Sequence, residues 1–349
     1  MKKMLSLAAM FAVLAYASPA SAELKLSGDA SVRMRGQFQD EEINDNKVFE
    51  EDEVNYAYRL RLKAAADLGN GYYFKSVLTS DNAAGGWNTV TGGEEAKVNI
   101  SQLYFGRNME NCHYAMGRLP LNSVNNPIFD ITLYPFAPVD TSVATFNMDR
   151  VFGLNYGAKI GSGEANATLV ILDNISRGDT PLEGDGIFND GYALHLSYKD
   201  KIGDVTVEPQ AIITLTNYNS VTPNTFGANL SFPAGSAKIG LSGFYTACDD
   251  TVPNTTTDVD YSGYLFRIKG EVGNFMAWID LNQTEDNVTS EEVDNLFIWA
   301  QYNFKIHESA AGTFSLTPIV RYWAQGAEPG GIKDDYSRLR TELVATVTF

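Results

Sequence analysis

Seven basic residues recur at every second position in three separated stretches of the chain. They are Arg33 and Arg35, then Arg59, Arg61 and Lys63, then Arg338 and Arg340. In an extended chain this spacing puts every charge of a stretch on one face. A row of guanidinium groups can do two things. It can pair with carboxylates and brace a wall, or it can present a positive field to anions and dipolar solutes. Carboxylates available to oppose such a row sit in an irregular segment at Asp130, Asp140 and Asp149. Asp29, Asp67 and Glu342 alternate with the basic residues themselves and are the candidates for bracing.

Other chemistry is poorly represented. The histidines are His113, His195 and His307, and none belongs to an H-E-x-x-H pattern. Cys112 and Cys248 form no C-x-x-C pair. His195, near Lys199, makes no recognisable nucleophile–base constellation and reads as a hydrogen-bonded wall residue. No metal or cofactor is expected, and the chain is not read as an enzyme.

The elements that carry the charges are strands. In 23–38, Leu24, Leu26, Ala30, Val32, Met34 and Phe38 alternate with Lys25, Ser27, Asp29, Ser31, Arg33, Arg35 and Gln37. In 54–68, Val54, Tyr56, Tyr58, Leu60 and Leu62 oppose Arg59, Arg61 and Lys63. At the end of the chain, Leu339, Leu343, Ala345, Val347 and Phe349 oppose Arg338, Arg340 and Glu342. No long segment has a period of 3.6, so the chain is all-β. Sixteen strands are expected, at 23–38, 54–68, 71–81, 98–108, 112–118, 150–160, 164–173, 190–199, 204–217, 225–232, 236–247, 260–269, 273–283, 295–305, 313–323 and 336–349.

Residues 1–22 read as a secretory signal peptide: Lys2 and Lys3, an apolar run, then Ala20-Ser21-Ala22. The apolar run is shorter than the ~20 residues of a spanning helix. The remaining domain is 23–349. Removing the two lysines takes the formal charge from −17 to −19. That balance argues against nucleic-acid binding.

The connections sort by parity. Short turns near 69–71, 109–111, 161–163, 200–203, 233–236 and 270–273 alternate with long segments at 39–53, 82–97, 119–149, 174–189, 248–259, 284–294 and 324–335. A barrel crossing a membrane has one rim of short periplasmic turns and one of long outer loops. An even strand number closes the sheet and leaves no edge in lipid. A terminal aromatic, Phe349, suits the last strand of an outer-membrane barrel.

With these features in place the chain resembles the Gram-negative outer-membrane porins, the sixteen-stranded general-diffusion family. The sharpest local piece is ISQLYFGRNMENCHYAMGRLPL (100–121), a strand–turn–strand ending in Gly117-Arg118. The following segment to Arg150 occupies the place of porin loop 3. It lacks the family's Pro-Glu-Phe-Gly type motif, NPIFD (126–130) being the nearest match. The resemblance implies a transmembrane antiparallel β-barrel in the Gram-negative outer membrane, with 119–149 folded into the lumen as a constriction loop. It implies passive diffusion of small hydrophilic solutes and ions, or, as the narrower form, a sugar- or anion-specific channel. It also implies a homotrimer in contact with outer-membrane lipid and lipopolysaccharide. The seven basic residues would then line the pore, and Asp130 and Asp140 would oppose them across the eyelet.

Three smaller expectations follow. Tyr56, Tyr72, Tyr104, Tyr156, Tyr198, Tyr264, Tyr302 and Tyr322 suit interfacial girdles. Cys112 and Cys248 lie at opposite rims and stay free thiols. The acidic stretch 40–53 is a solvated loop or a bridge to divalent cations and lipopolysaccharide, without EF-hand spacing.

Overall fold

The computed structural model describes residues 23–80, 87–89, 98–120, 126–129, 150–173, 190–216, 222–251 and 258–349. The strands are β1 (Glu23–Ile43), β2 (Asn46–Gly69), β3 (Tyr72–Thr79), β4 (Asn88–Thr89), β5 (Asn99–Asn108), β6 (Cys112–Pro120), β7 (Arg150–Ile160), β8 (Gly163–Asp173) and β9 (Gly191–Ile202). They continue with β10 (Val205–Thr214), β11 (Asn224–Ala234), β12 (Ala237–Thr251), β13 (Asp258–Val272), β14 (Phe275–Asp286), β15 (Glu291–Tyr302), β16 (Phe304–Ser309), β17 (Gly312–Ala327) and β18 (Asp334–Thr348).

All are antiparallel in one sheet, and β18 pairs with β1 to close it. The seam runs from Asp29 opposite Thr348 to Ile43 opposite Asp334. Two of the segments are not separate staves. β15 and β16 both pair with β17 and form one strand broken at Asn303. β4 takes over from β3 against Ala57 and Tyr58 of β2. The closed wall therefore has the sixteen strands expected from the alternation. Closure follows from edge chemistry, since every backbone donor and acceptor of the wall then finds a neighbour.

The faces divide as the alternation demands. On β1, Val32 is 60 % exposed on the outside of the barrel, while its neighbour Arg33 is 7 % exposed on the inside. Leu60, Phe105, Phe152, Tyr245 and Ile279 continue the outer apolar band. An arginine placed on that band would cost about 2–4 kcal/mol at mid-height. Tyr56, Tyr72, Tyr156, Tyr264 and Tyr302 stand in it, as expected for interfacial rings. Tyr104 does not. It faces inward, edge-on to Tyr73 with ring centroids 6.2 Å apart. It sits opposite Gly117 of β6, and the register there puts it on the same side as Lys75.

The outer rim differs from a set of loops. The acidic stretch 40–53 is paired backbone: β1 and β2 run on to a two-residue turn at Asn44-Asp45, both in the left-handed region. Asp and Glu disfavour strands, so composition reads loop. The Asn-Asp pair overrides this, because it supplies the positive φ of a tight hairpin turn. Lys47 offsets the crowded charge by pairing with Asp40 at 2.7 Å and Glu50 at 2.9 Å. In the same way 284–294 shrinks to a turn at 287–290, and 324–335 to 328–333. Both cysteines are free, as the rim assignment required.

Candidate functional site: the lumen wall

The register of β2, β1, β18 and β17 turns the seven basic residues into a grid. Arg59 lies opposite Ser31, Arg61 opposite Asp29 and Lys63 opposite Ser27. On the other side, Arg35 lies opposite Glu342, Gln37 opposite Arg340 and Gln39 opposite Arg338. Arg340 in turn faces Arg321 of β17.

Two buried carboxylates brace part of this grid. Glu342 accepts from Arg35 Nε at 2.7 Å and from Arg321 Nη2 at 3.2 Å. Asp29 accepts from Arg61 Nε at 2.8 Å and from Lys63 Nζ at 3.3 Å. The rest of the grid is held differently. Arg340 donates from Nε to Gln37 Oε1 at 2.5 Å. Arg33 and Arg59 both lie over the Trp87 ring, each guanidinium carbon 4.6 Å from the ring centre. Arg338 lies 4.8 Å from the Trp323 ring. Among the described residues, Arg33, Arg338 and Arg340 have no carboxylate partner. A guanidinium held by its face or by a neutral amide keeps its full charge directed at the lumen.

All four tryptophans face inward. Trp278 and Trp299 stack at 4.6 Å with 12° between planes, and Arg321 covers the Trp299 ring at 3.7 Å. Membrane proteins usually keep tryptophan at the interfaces. Here the rings fix arginines instead.

The opposite wall centres on β10, eight strands from β1 in either direction. The described piece of the long connection, Asn126–Phe129, docks there. Asn126 Nδ2 donates to Gln210 Oε1 at 2.8 Å, and Gln210 Nε2 returns a bond to Asn126 Oδ1 at 2.9 Å. Asn229 Nδ2 adds a third at 3.0 Å. Ile128 and Phe129 bury themselves among Val170, Ala193, Ile212, Phe244 and Leu265. Residues 126–129 therefore lie against the inner face of the wall opposite β1. His195 is a wall residue, its Nε2 2.8 Å from Gln210 Oε1.

This wall is charged as well, with most of its cations paired: Lys199 lies 4.0 Å from Glu208 and Lys269 2.7 Å from Glu271. Below the docked segment a recess of about 360 Å³ is lined by Lys199, Lys238, Arg267 and Lys269, with Glu208 and Glu271 among them. Arg267 is fully buried and paired to Asp280 by two bonds of 2.5 and 2.6 Å. The expected opposition of a basic wall to an acidic loop is thus not what this part of the loop supplies, since Asn126–Phe129 is uncharged. Asp130, Asp140 and Asp149 lie outside the described residues. Among the described residues no cluster of His, Cys, Asp and Glu is arranged to hold a metal ion.

Sequence reasoning placed all seven basic residues on one wall and missed Arg321, Arg267 and the tryptophans. Arg321 was findable, because it shares its strand parity with Thr317 and Ile319. Trp87 was not, because it directly precedes the two-residue β4, which no alternation marks and whose pairing with Ala57 and Tyr58 brings the ring to Arg59.

Comparison with known proteins matches this architecture. The chain shares its fold with the anion-selective porin of Comamonas acidovorans, at 12 % identity and TM-score 0.58 over 94 % of this chain and all of that one. It is similar to the outer-membrane channel DcaP of Acinetobacter baumannii, at 13 % identity and TM-score 0.57 over 95 % and 99 %. A trimer form of OmpT, an outer membrane protein of Vibrio cholerae, aligns at 10 % identity and TM-score 0.50 over 92 % and 99 %. No curated protein sequence matches the chain. A model of the Gram-negative porins matches residues 7–314. The chain belongs to the Gram-negative porin family and is an outer-membrane channel.

Proposed function

We propose that this porin is a passive, anion-favouring diffusion channel for small hydrophilic solutes, with no catalytic step and no bound cofactor. One observation carries the reading: Arg33, Arg338 and Arg340 face the lumen without a carboxylate partner among the described residues, while Asp29 and Glu342 are already committed to Arg61, Lys63, Arg35 and Arg321. Lys238 adds positive charge on the far wall, where Lys199 pairs with Glu208 and Lys269 with Glu271. Charges recessed in a low-dielectric wall act on the lumen with less screening than exposed ones. The carboxylates of the outer hairpin, such as Asp45 and Glu50, are exposed and act only within about 8–10 Å at physiological salt.

In this reading residues 1–22 are the export signal and 119–149 the constriction loop, with Asp130 and Asp140 tuning the eyelet. The protein assembles as a homotrimer among outer-membrane lipid and lipopolysaccharide. The trimeric neighbour of the same fold and the anion-selective one support these two points.

The test is the reversal potential across a planar bilayer in a KCl gradient. Chloride should be the more permeant ion, and Arg33→Gln with Arg338→Gln should move the potential toward the potassium value. Potassium preference in the unaltered protein would sink the reading.

A further inference from the structure

A second cavity opens off the lumen between β3 and β9, beside the docked Asn126–Phe129 segment. Its volume is about 320 Å³. That is the lower end of the ~300–1,000 Å³ range of small-molecule sites. Its composition differs from the rest of the wall. Leu119, Phe129, Val151 and Val170 make an apolar floor. Lys75, Tyr73, Tyr104 and His113 make a polar edge on one side of it.

The hollow is built in by glycines. A Cβ on Gly106 would fall 2.6 Å from the Tyr73 hydroxyl, and one on Gly157 would fall 2.5 Å from His113 Nε2. The Tyr73 and His113 side chains therefore lie against glycine backbone, in places that any larger residue would fill. Phe129 closes the far side, held edge-on to His195 at 5.0 Å between ring centres.

Lys75 is the one full positive charge on this edge. Its Nζ lies 5.2 Å from the Tyr73 ring centre, and it has no carboxylate partner among the described residues. An ammonium beside an apolar floor matches a solute with one carboxylate and a compact apolar body. The carboxylate would take hydrogen bonds from Lys75 and the tyrosine hydroxyls, and the body would remove the floor from water. A bare inorganic anion would leave the floor wet. A neutral ring would gain no charge-assisted bond from Lys75.

We propose that this cavity is a transient binding site for single-ring aromatic carboxylates passing through the channel. The proposal names a solute class for the lumen read above as anion-favouring, and its test separates the two.

The probe is benzoate, added to the full-length porin in planar bilayers while ion current is recorded. Current should fall saturably with benzoate, with half-effect at least five-fold below that for acetate or benzyl alcohol. Lys75→Gln should raise the half-effect concentration at least ten-fold, and Lys75→Arg should restore it to within about three-fold. Val170→Phe, which fills the floor and keeps the charge, should weaken benzoate without changing the acetate response. A linear, unsaturable benzoate effect, or a Lys75→Gln protein that still saturates at the original concentration, would overturn the site. Potassium preference together with saturable, Lys75-dependent benzoate block would overturn the selectivity reading and leave the site standing.

Discussion

Asn126 and Gln210 exchange two hydrogen bonds, 2.8 and 2.9 Å long, and thereby tie the long inward connection to the strand that faces β1 across the barrel. His195 and Asn229 complete the same network. Because Ile128 and Phe129 are buried next to it, the latch positions a hydrophobic plug as well as a loop.

Gln210→Leu should break the exchange and leave Asn126 Nδ2 and His195 Nε2 without their shared partner, while Asn229 still donates to Asn126 Oδ1. Stranding such groups costs about 1–3 kcal/mol. The expected outcome is more frequent partial closures and a broader spread of unitary conductance. Single-channel recordings with unaltered gating noise would mean that the Ile128–Phe129 packing alone holds the segment.

Glu342→Gln should act in the opposite sense to removing an arginine. It takes the negative partner from both Arg35 and Arg321. Two further guanidinium charges then act on the lumen, so chloride preference should rise. The measurement is again the reversal potential, and a shift toward potassium would contradict the assigned roles.

The Arg267–Asp280 pair is buried on both sides. Asp280→Asn leaves a buried guanidinium short of its charge partner, a loss of about 3–5 kcal/mol. Replacing both, as Arg267→Met with Asp280→Leu, should cost much less. Urea unfolding of the barrel in lipid vesicles, followed by tryptophan fluorescence, distinguishes these two outcomes.

The outer hairpin supplies a pH prediction. Lys333 bonds Asp335 at 2.6 Å and Asp45 at 3.2 Å, and these partners hold its ammonium above the ordinary lysine value of 10.5. A group raised on folding stabilises below its unfolded value and loses that contribution as pH rises through the folded one. Protease resistance of the Asn44-Asp45 tip should therefore be level from pH 6 to pH 10 and fall only at higher pH. Lys333→Gln should show the weakened tip at every pH. A fall near neutrality in the unaltered protein would place the tip's stability elsewhere.

The alternation of β1, β2 and β18 determined the fold and the side of the wall on which Arg33, Arg35, Arg59, Arg61, Lys63, Arg338 and Arg340 stand. A period of two with one apolar face permits no other arrangement once the outer medium is lipid. Strand length above the membrane was not legible in the same way. Composition marks 40–53 as loop, whereas the Asn44-Asp45 turn and the partner strand keep it paired. Which arginines are braced and which face the lumen charged was decided by register alone. Arg35 meets Glu342 and Arg340 meets Gln37 because β18 pairs with β1 at that offset and no other. A shift of two residues would preserve every face and exchange the partners. The contacts of Trp87 with Arg33 and Arg59, and of Asn126 with Gln210, join residues from irregular segments to distant strands. Periodicity carries no information about such pairs, so only the tertiary structure could supply them.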